Sequence, residues 1–170
     1  MSTTRTDHRE ARQVRQAIEL IELGARLPLL EAELGLGRER LMALYEEVKG
    51  VPPAESTAVL PPGWFLPWQP NMHASLFIAI WRYLHQYLGV AGADALVQGY
   101  RLYTGHMQAA ALTPVLTMMR AWTLIRYLGA SLRTAPCAVC GTDFVVPRHD
   151  TGRDAACGLC RPPFNAAAQP

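Results

Sequence analysis

The sequence predicts a mainly α protein: a helical body with an N-terminal helix-turn-helix-like unit and a small C-terminal zinc-ribbon-like module built on four cysteines. Three observations predict it. Apolar residues recur at helical spacing along most of the chain, no segment before the cysteines shows strand alternation, and all four cysteines of the 170-residue chain stand together near its end. With 50% hydrophobic and 18% charged residues, the chain has a core to bury and is too apolar to be disordered. The expected division is a helical body over 1–130, with the helix-turn-helix-like unit at 10–50 and a Pro/Trp-rich connector at 51–70, then a zinc-binding module over 131–170.

Val14, Ala17, Ile18 and Ile21 mark a first helix over 9–23, closed by Gly24. A short second helix is expected over 27–34, broken by Gly35-Leu36-Gly37, and a third over 38–49 carrying Leu41, Leu44 and Val48 before Gly50. Leu30, Leu34, Leu36, Leu41 and Leu44 form the apolar frame of a helix-turn-helix, in which Gly35 reverses the chain at positive φ and Leu36 plugs the angle. The outward residues at the start of the third helix, Arg38, Glu39 and Arg40, would then face a major groove, where arginine forks guanine or phosphate. The same frame suits a plain helical hairpin serving as core or interaction surface, because Glu39, Glu46 and Glu47 dilute the positive potential. The position packing under the third helix, usually small, is Glu31 or Ala32.

The connector, dense in proline and holding Trp64, Phe65 and Trp68, reads as an ordered segment whose aromatics pack on the body. Helical spacing resumes at Asn71, first with Leu76, Ile80 and Leu84, then with Leu96, Tyr100 and Tyr103, then with Val115, Met118, Trp122 and Ile125. Residues 73–84 are apolar nearly all round, as expected of a central helix covered on several sides.

Cys137, Cys140, Cys157 and Cys160 are spaced as C-x2-C, sixteen residues, C-x2-C. Two residues between sulfurs aim both thiolates at one ion, and four sulfurs fill the tetrahedron of a single structural Zn2+, one per chain. The intervening stretch is expected to run as a hairpin, with Phe144, Val145 and Val146 as its apolar strand. Disulfides need an oxidising compartment, and residues 1–15 hold no apolar run of a signal peptide, so a cytoplasmic location is expected. A redox C-x-x-C opens a helix in a βαβ context, whereas these pairs sit among Gly and Pro. Four thiolates leave no open position for catalytic water. A module of about 40 residues needs such a staple, and loss of one cysteine is expected to unfold it. His149 lies in the loop and is not counted as a ligand.

The formal charge of +2 treats the cysteines as neutral thiols. One Zn2+ adds two charges and four thiolates remove four, leaving the metal-bound chain near zero. Nucleic acid would therefore be gripped by local arginine clusters or with a partner, not by bulk charge. The most apolar stretch is about half the ~20 residues of a membrane span, so no membrane association is expected. His8, His73, His85, His106 and His149 are scattered, no phosphate-cradling glycine loop is present, and Glu31 and Glu33 point to different helix faces, so no enzyme is expected.

Longer motifs recur in order along the chain. They run from Leu23-Gly24-Ala25-Arg26-Leu27 through Gly63-Trp64-Phe65, Asn71-Met72-His73-Ala74-Ser75, Tyr100-Arg101-Leu102-Tyr103 and Arg120-Ala121-Trp122-Thr123-Leu124 to the cysteine frame and Arg161-Pro162-Pro163. Together they resemble FlhC, the family of C subunits of the bacterial flagellar master transcriptional activator. The resemblance implies a hetero-oligomer with FlhD containing more D than C chains, binding of double-stranded promoter DNA upstream of flagellar operons, and recruitment of RNA polymerase. It also implies that the four cysteines bind zinc, and that a near-neutral subunit shares a positive DNA-facing track with its partner. Relatives often carry a basic tail past the last cysteine, where this chain has only Arg161. On this reading Arg38 and Arg40 contact bases or phosphates, and Arg133, Arg148, Arg153 and Arg161 contact phosphates near the module or offset its thiolate charge. The rival reading is a zinc-stapled adaptor whose partner alone touches DNA.

Overall fold

A computed structural model of the chain describes residues 3–54, 60–151 and 154–163. Arg153 lies outside the described residues. Within them the order is α1 Thr3–Glu22, α2 Leu27–Glu33, α3 Arg38–Lys49, a 3-10 turn Pro62–Phe65, α4 Trp68–Tyr87, α5 Gly92–Ala109, α6 Met118–Tyr127, then β1 Leu132–Pro136 and β2 Asp143–Pro147. No helix among the described residues is long and apolar enough to cross a membrane.

Helix α1 begins at Thr3, earlier than the apolar stripe announces, because no Gly or Pro stands ahead of the stripe to stop it. It ends as expected at Gly24, whose φ of +94° lets Ala25 N–H reach Leu20 O at 2.8 Å and Gly24 N–H reach Ile21 O at 3.0 Å. That pair of bonds is a Schellman termination. Pro28 stands in the first turn of α2, where a missing N–H is harmless. Gly50, at φ +70°, closes α3.

The turn between α2 and α3 differs from expectation in one respect. Gly35 does not adopt positive φ; the reversal is made by extended backbone at Leu34 and Gly37. Its missing side chain serves packing instead, since a Cβ there would stand 3.0 Å from Gln13 Nε2 of α1. The apolar frame is as expected: Leu30, Leu34, Leu41 and Leu44 are buried in the main core, and Leu36 packs against it. Glu31 and Ala32 are both exposed, so neither lies under α3.

Helix α4 is the central element, in contact with α5, α6, the 3-10 turn and β2. It starts at Trp68, ahead of Asn71, with Pro70 tolerated in its first turn. Phe77 and Ile78 of α4, Leu96 and Val97 of α5, and Leu124 of α6 bury together. Helix α6 starts at Met118 and leaves Val115 outside, because the Thr117 hydroxyl caps it by accepting from Arg120 N–H at 3.2 Å. A buried polar relay ties these helices to the extended segment before α6. Tyr103 OH accepts from Val115 N–H at 3.0 Å and Leu116 N–H at 3.1 Å, and lies 2.8 Å from His73 Nδ1. With both N–H groups donating to it, the hydroxyl donates to His73, whose ring stays neutral with its proton on Nε2. Burial lowers the His73 pKa in the same sense.

β1 corrects the expectation that no strand precedes the cysteines. Only Leu132 and Ala135 of this strand are buried, three residues apart, so its alternation is hidden. β1 and β2 pair antiparallel with Thr134 opposite Val145. The hairpin is therefore not built within the sixteen-residue spacer: its first strand lies upstream of Cys137, and the first cysteine pair lies in its connection. One side of the sheet, Leu132 and Val145, joins the main core; the other, Ala135, Phe144 and Val146, packs with Cys137 and Cys157 in a second cluster.

Candidate metal centre

The first cysteine pair is held in the tight connection after β1. Cys137 N–H donates to Thr142 O at 3.0 Å and Gly141 N–H to Cys137 O at 2.9 Å, with Gly141 at φ +74°. The second pair repeats the device, with Cys160 N–H and Arg161 N–H both donating to Cys157 O. Ala138 N–H to Ala155 O at 3.0 Å joins the two knuckles. All four Sγ atoms then lie within 4.8 Å of one another, and none is disulfide-bonded.

Sulfurs at about 2.3 Å from one tetrahedral ion stand about 3.8 Å apart. The Cys140 and Cys157 sulfurs are 3.8 Å apart. A disulfide needs about 2.05 Å, so the cluster has the spacing of a metal site. Backbone N–H groups of Cys140 and Cys157 hold the Cys137 thiol down to about 6. The N–H and hydroxyl of Thr142 lower Cys140. Cys160 is pushed up to about 12, first by its hydrogen bond with Cys140. The sulfurs thus resist ionising together, and a cation among them removes that conflict. The four residues could hold one metal ion. His149 is exposed and outside the cluster.

One face of α4 carries this module. Trp68, Asn71, Ser75 and Arg82 recur at intervals of three, four and seven, which places them on one side of a helix. Trp68 Nε1 donates to Gly158 O of the second knuckle at 2.8 Å. Gly158 is the one residue type that fits, because a Cβ would stand 2.7 Å from Trp68 Cδ1. Asn71 Nδ2 donates to Val145 O at 2.8 Å and to Phe65 O at 3.1 Å, and the Ser75 hydroxyl accepts Val145 N–H at 3.0 Å. The outer edge of β2 is thereby satisfied by side chains and closed to another strand. Arg82 donates to Thr134 Oγ1 at 2.6 Å and pairs with Asp143 at 3.4 Å, bridging the two strands. Of the expected connector aromatics, Phe65 is buried in the main core and Trp64 packs on it, whereas Trp68 turns to the second cysteine knuckle. Asn71 and Ser75 fall inside one of the recurring sequence motifs, but that motif names no role for them; their helical spacing with Trp68 and Arg82 is the signal that points to a shared face.

The sequence-predicted arginines are dispersed. Arg38 is ion-paired with Glu31. Arg40 follows it on α3, exposed and without an ion-pair partner among the described residues. Arg133 donates to the carbonyls of Asp150 and Thr134, tying the far loop to β1. Arg148 and Arg161 are exposed, the first directly after β2 and the second directly after the last cysteine.

The family model described as Flagellar transcriptional activator (FlhC) matches residues 3–169. The flagellar transcriptional regulator FlhC of Paraburkholderia atlantica is 47% identical over 158 residues, covering 92% of this chain and 73% of its own length. The protein of the same name from Thauera aminoaromatica is 42% identical over 94% of this chain and 82% of its own, and that from Proteus mirabilis 39% identical over 93% and 83%. These names denote regulators of transcription and not enzymes. A match over nearly the whole length, around a four-cysteine cluster on a helical body, places the chain in the FlhC family of flagellar transcriptional activators.

Proposed function

We propose that this chain is the DNA-binding subunit of a cytoplasmic transcription activator. It works in a hetero-oligomer with FlhD, with more D than C chains. The complex binds double-stranded promoter DNA of flagellar and some non-flagellar operons and activates RNA polymerase there. One Zn2+ per chain occupies the cysteine cluster and joins its two knuckles, a structural role over the proposed 131–170 module. The observation that carries the DNA reading is the layout of α3: Leu41 and Leu44 are buried while Arg38, Glu39 and Arg40 of its first turn are exposed. A helix anchored from behind with an exposed first turn is the layout that enters a major groove. Arg148, Arg153 and Arg161 add phosphate contacts around the module, with Arg133 holding its loop in place.

The test is a gel shift on a flagellar promoter, with this chain alone and with FlhD, at two salt concentrations. Arg40→Glu or Arg148→Glu should weaken binding and lower the salt slope by about one per lost phosphate contact. Unchanged affinity and slope at each position would remove these residues from the interface. The adaptor reading draws support from Arg38, tied to Glu31, and Arg133, tied to backbone carbonyls. Absence of any DNA crosslink to this chain within the complex would decide for it.

A further inference from the structure

A cleft of about 800 Å3 opens between the α1–α2 turn, the connector and α6. Leu23, Leu60 and Met119 give it apolar walls, and Arg26, Arg120 and Arg126 line it with no carboxylate among the described lining residues. Two of these guanidinium groups lie on indole faces: Arg120 is 4.3 Å from the Trp64 ring centroid and Arg126 is 4.7 Å from that of Trp122. Arg120 also donates to Val115 O at 2.8 Å, which gives it a structural duty. Arg26 and Arg126 are exposed, and neither has an ion-pair partner among the described residues. Glu33 accepts the Trp122 indole N–H at 2.8 Å, fixing the ring that carries Arg126.

We propose that this cleft binds a short acidic segment of a protein partner, its apolar side chains entering between Leu23, Leu60 and Met119 and its carboxylates meeting Arg26 and Arg126. Charge complementarity sets the sign of the occupant, and the planar fork of arginine suits a carboxylate. The apolar walls select between anions. A phosphodiester backbone brings no apolar side chain to fill such walls, whereas an amphipathic peptide does. Stacking on Trp122 limits the orientations of the Arg126 plane before binding, so less freedom is lost when it pairs. The inference adds a protein-facing site and does not depend on the DNA-binding reading.

The experiment selects a displayed random library of peptides about twelve residues long on the metal-loaded full chain. The R26E/R126E double variant serves as counter-selection. The expected result is enrichment of Asp and Glu flanked by Leu, Phe or Met, with affinity that falls with salt and drops by about tenfold or more in the double variant. Circular dichroism checks that the variant keeps its helices; if it does not, R26A/R126A takes its place with the same criteria. Selected peptides without acidic enrichment, or peptides that bind the variant unchanged, would overturn the proposal. So would a DNA duplex of about 30 base pairs that displaces the peptides and itself loses affinity in the variant, which would assign the cleft to nucleic acid.

Discussion

Replacing Asn71 by alanine tests how the helical body holds the cysteine module. The amide is buried and donates twice, to Val145 O in the sheet and to Phe65 O in the connector turn. Alanine removes both donors and leaves two carbonyls facing an enclosed gap. A lost hydrogen bond costs about 1 kcal/mol net, and an acceptor stranded away from water about 1–3 kcal/mol. The pair together comes to about 2–6 kcal/mol, with the lower figure applying where water enters the gap. The Val145 share of that loss, about 1–3 kcal/mol, bears on the docked hairpin, so the undocked population should rise roughly 5- to 140-fold at about 1.4 kcal/mol per tenfold. Two measurements read it: urea unfolding followed by circular dichroism, and the rate at which bound metal passes to a colorimetric chelator. Alanine should lower the unfolding midpoint and speed metal transfer. Asn71→Asp, which points a charged acceptor at the same two carbonyls, should cost more. A cost below about 1 kcal/mol together with wild-type metal transfer would refute the idea that α4 carries the module.

Cys140→Ser should abolish stoichiometric metal by elemental analysis and raise amide exchange in the hairpin before α1–α3, given about 10–16 kcal/mol from structural zinc in finger peptides; retained metal would mean three ligands suffice. Gly158→Ala puts a Cβ 2.7 Å from Trp68 Cδ1 and 3.1 Å from Met72 Cγ, and overpacking of this kind costs about 1–3 kcal/mol. An unchanged melting temperature and Trp68 fluorescence would contradict that close approach. His73 has its pKa lowered by burial from 6.5, so below that pH the unfolded chain takes up the proton more readily and stability falls as pH drops. His73→Gln should flatten this slope in urea titrations across pH; equal slopes would show that His73 contributes no pH dependence.

Much of this architecture is legible because its signals are local. Helical spacing locates the apolar stripes of all six helices, and glycines mark the ends of α1 and α3. The cysteine quartet is legible for a chemical reason: four sulfurs at knuckle spacing have few other uses. What stays hidden depends on packing between distant segments. β1 escapes because a strand wedged between two clusters buries only two of its side chains, and the role of Gly35 escapes because crowding by Gln13 of α1 leaves no trace in the local sequence. The polar stripe on α4 is periodic and readable in principle. Its residues reveal their role only once β2 and the second knuckle lie beside them, sixty or more positions later.

The stripe on α4 also decides what can be transplanted. Residues 131–163 moved alone onto another scaffold would bring the four sulfurs but lose the wall that supplies Val145 its hydrogen bonds and Gly158 its indole partner. The portable unit is discontinuous: the hairpin and knuckles together with the first four turns of α4. A chimera that exchanges the cysteine region between two relatives should therefore fold best when α4 travels with it, and a swap at residue 131 should show the seam as weakened metal retention.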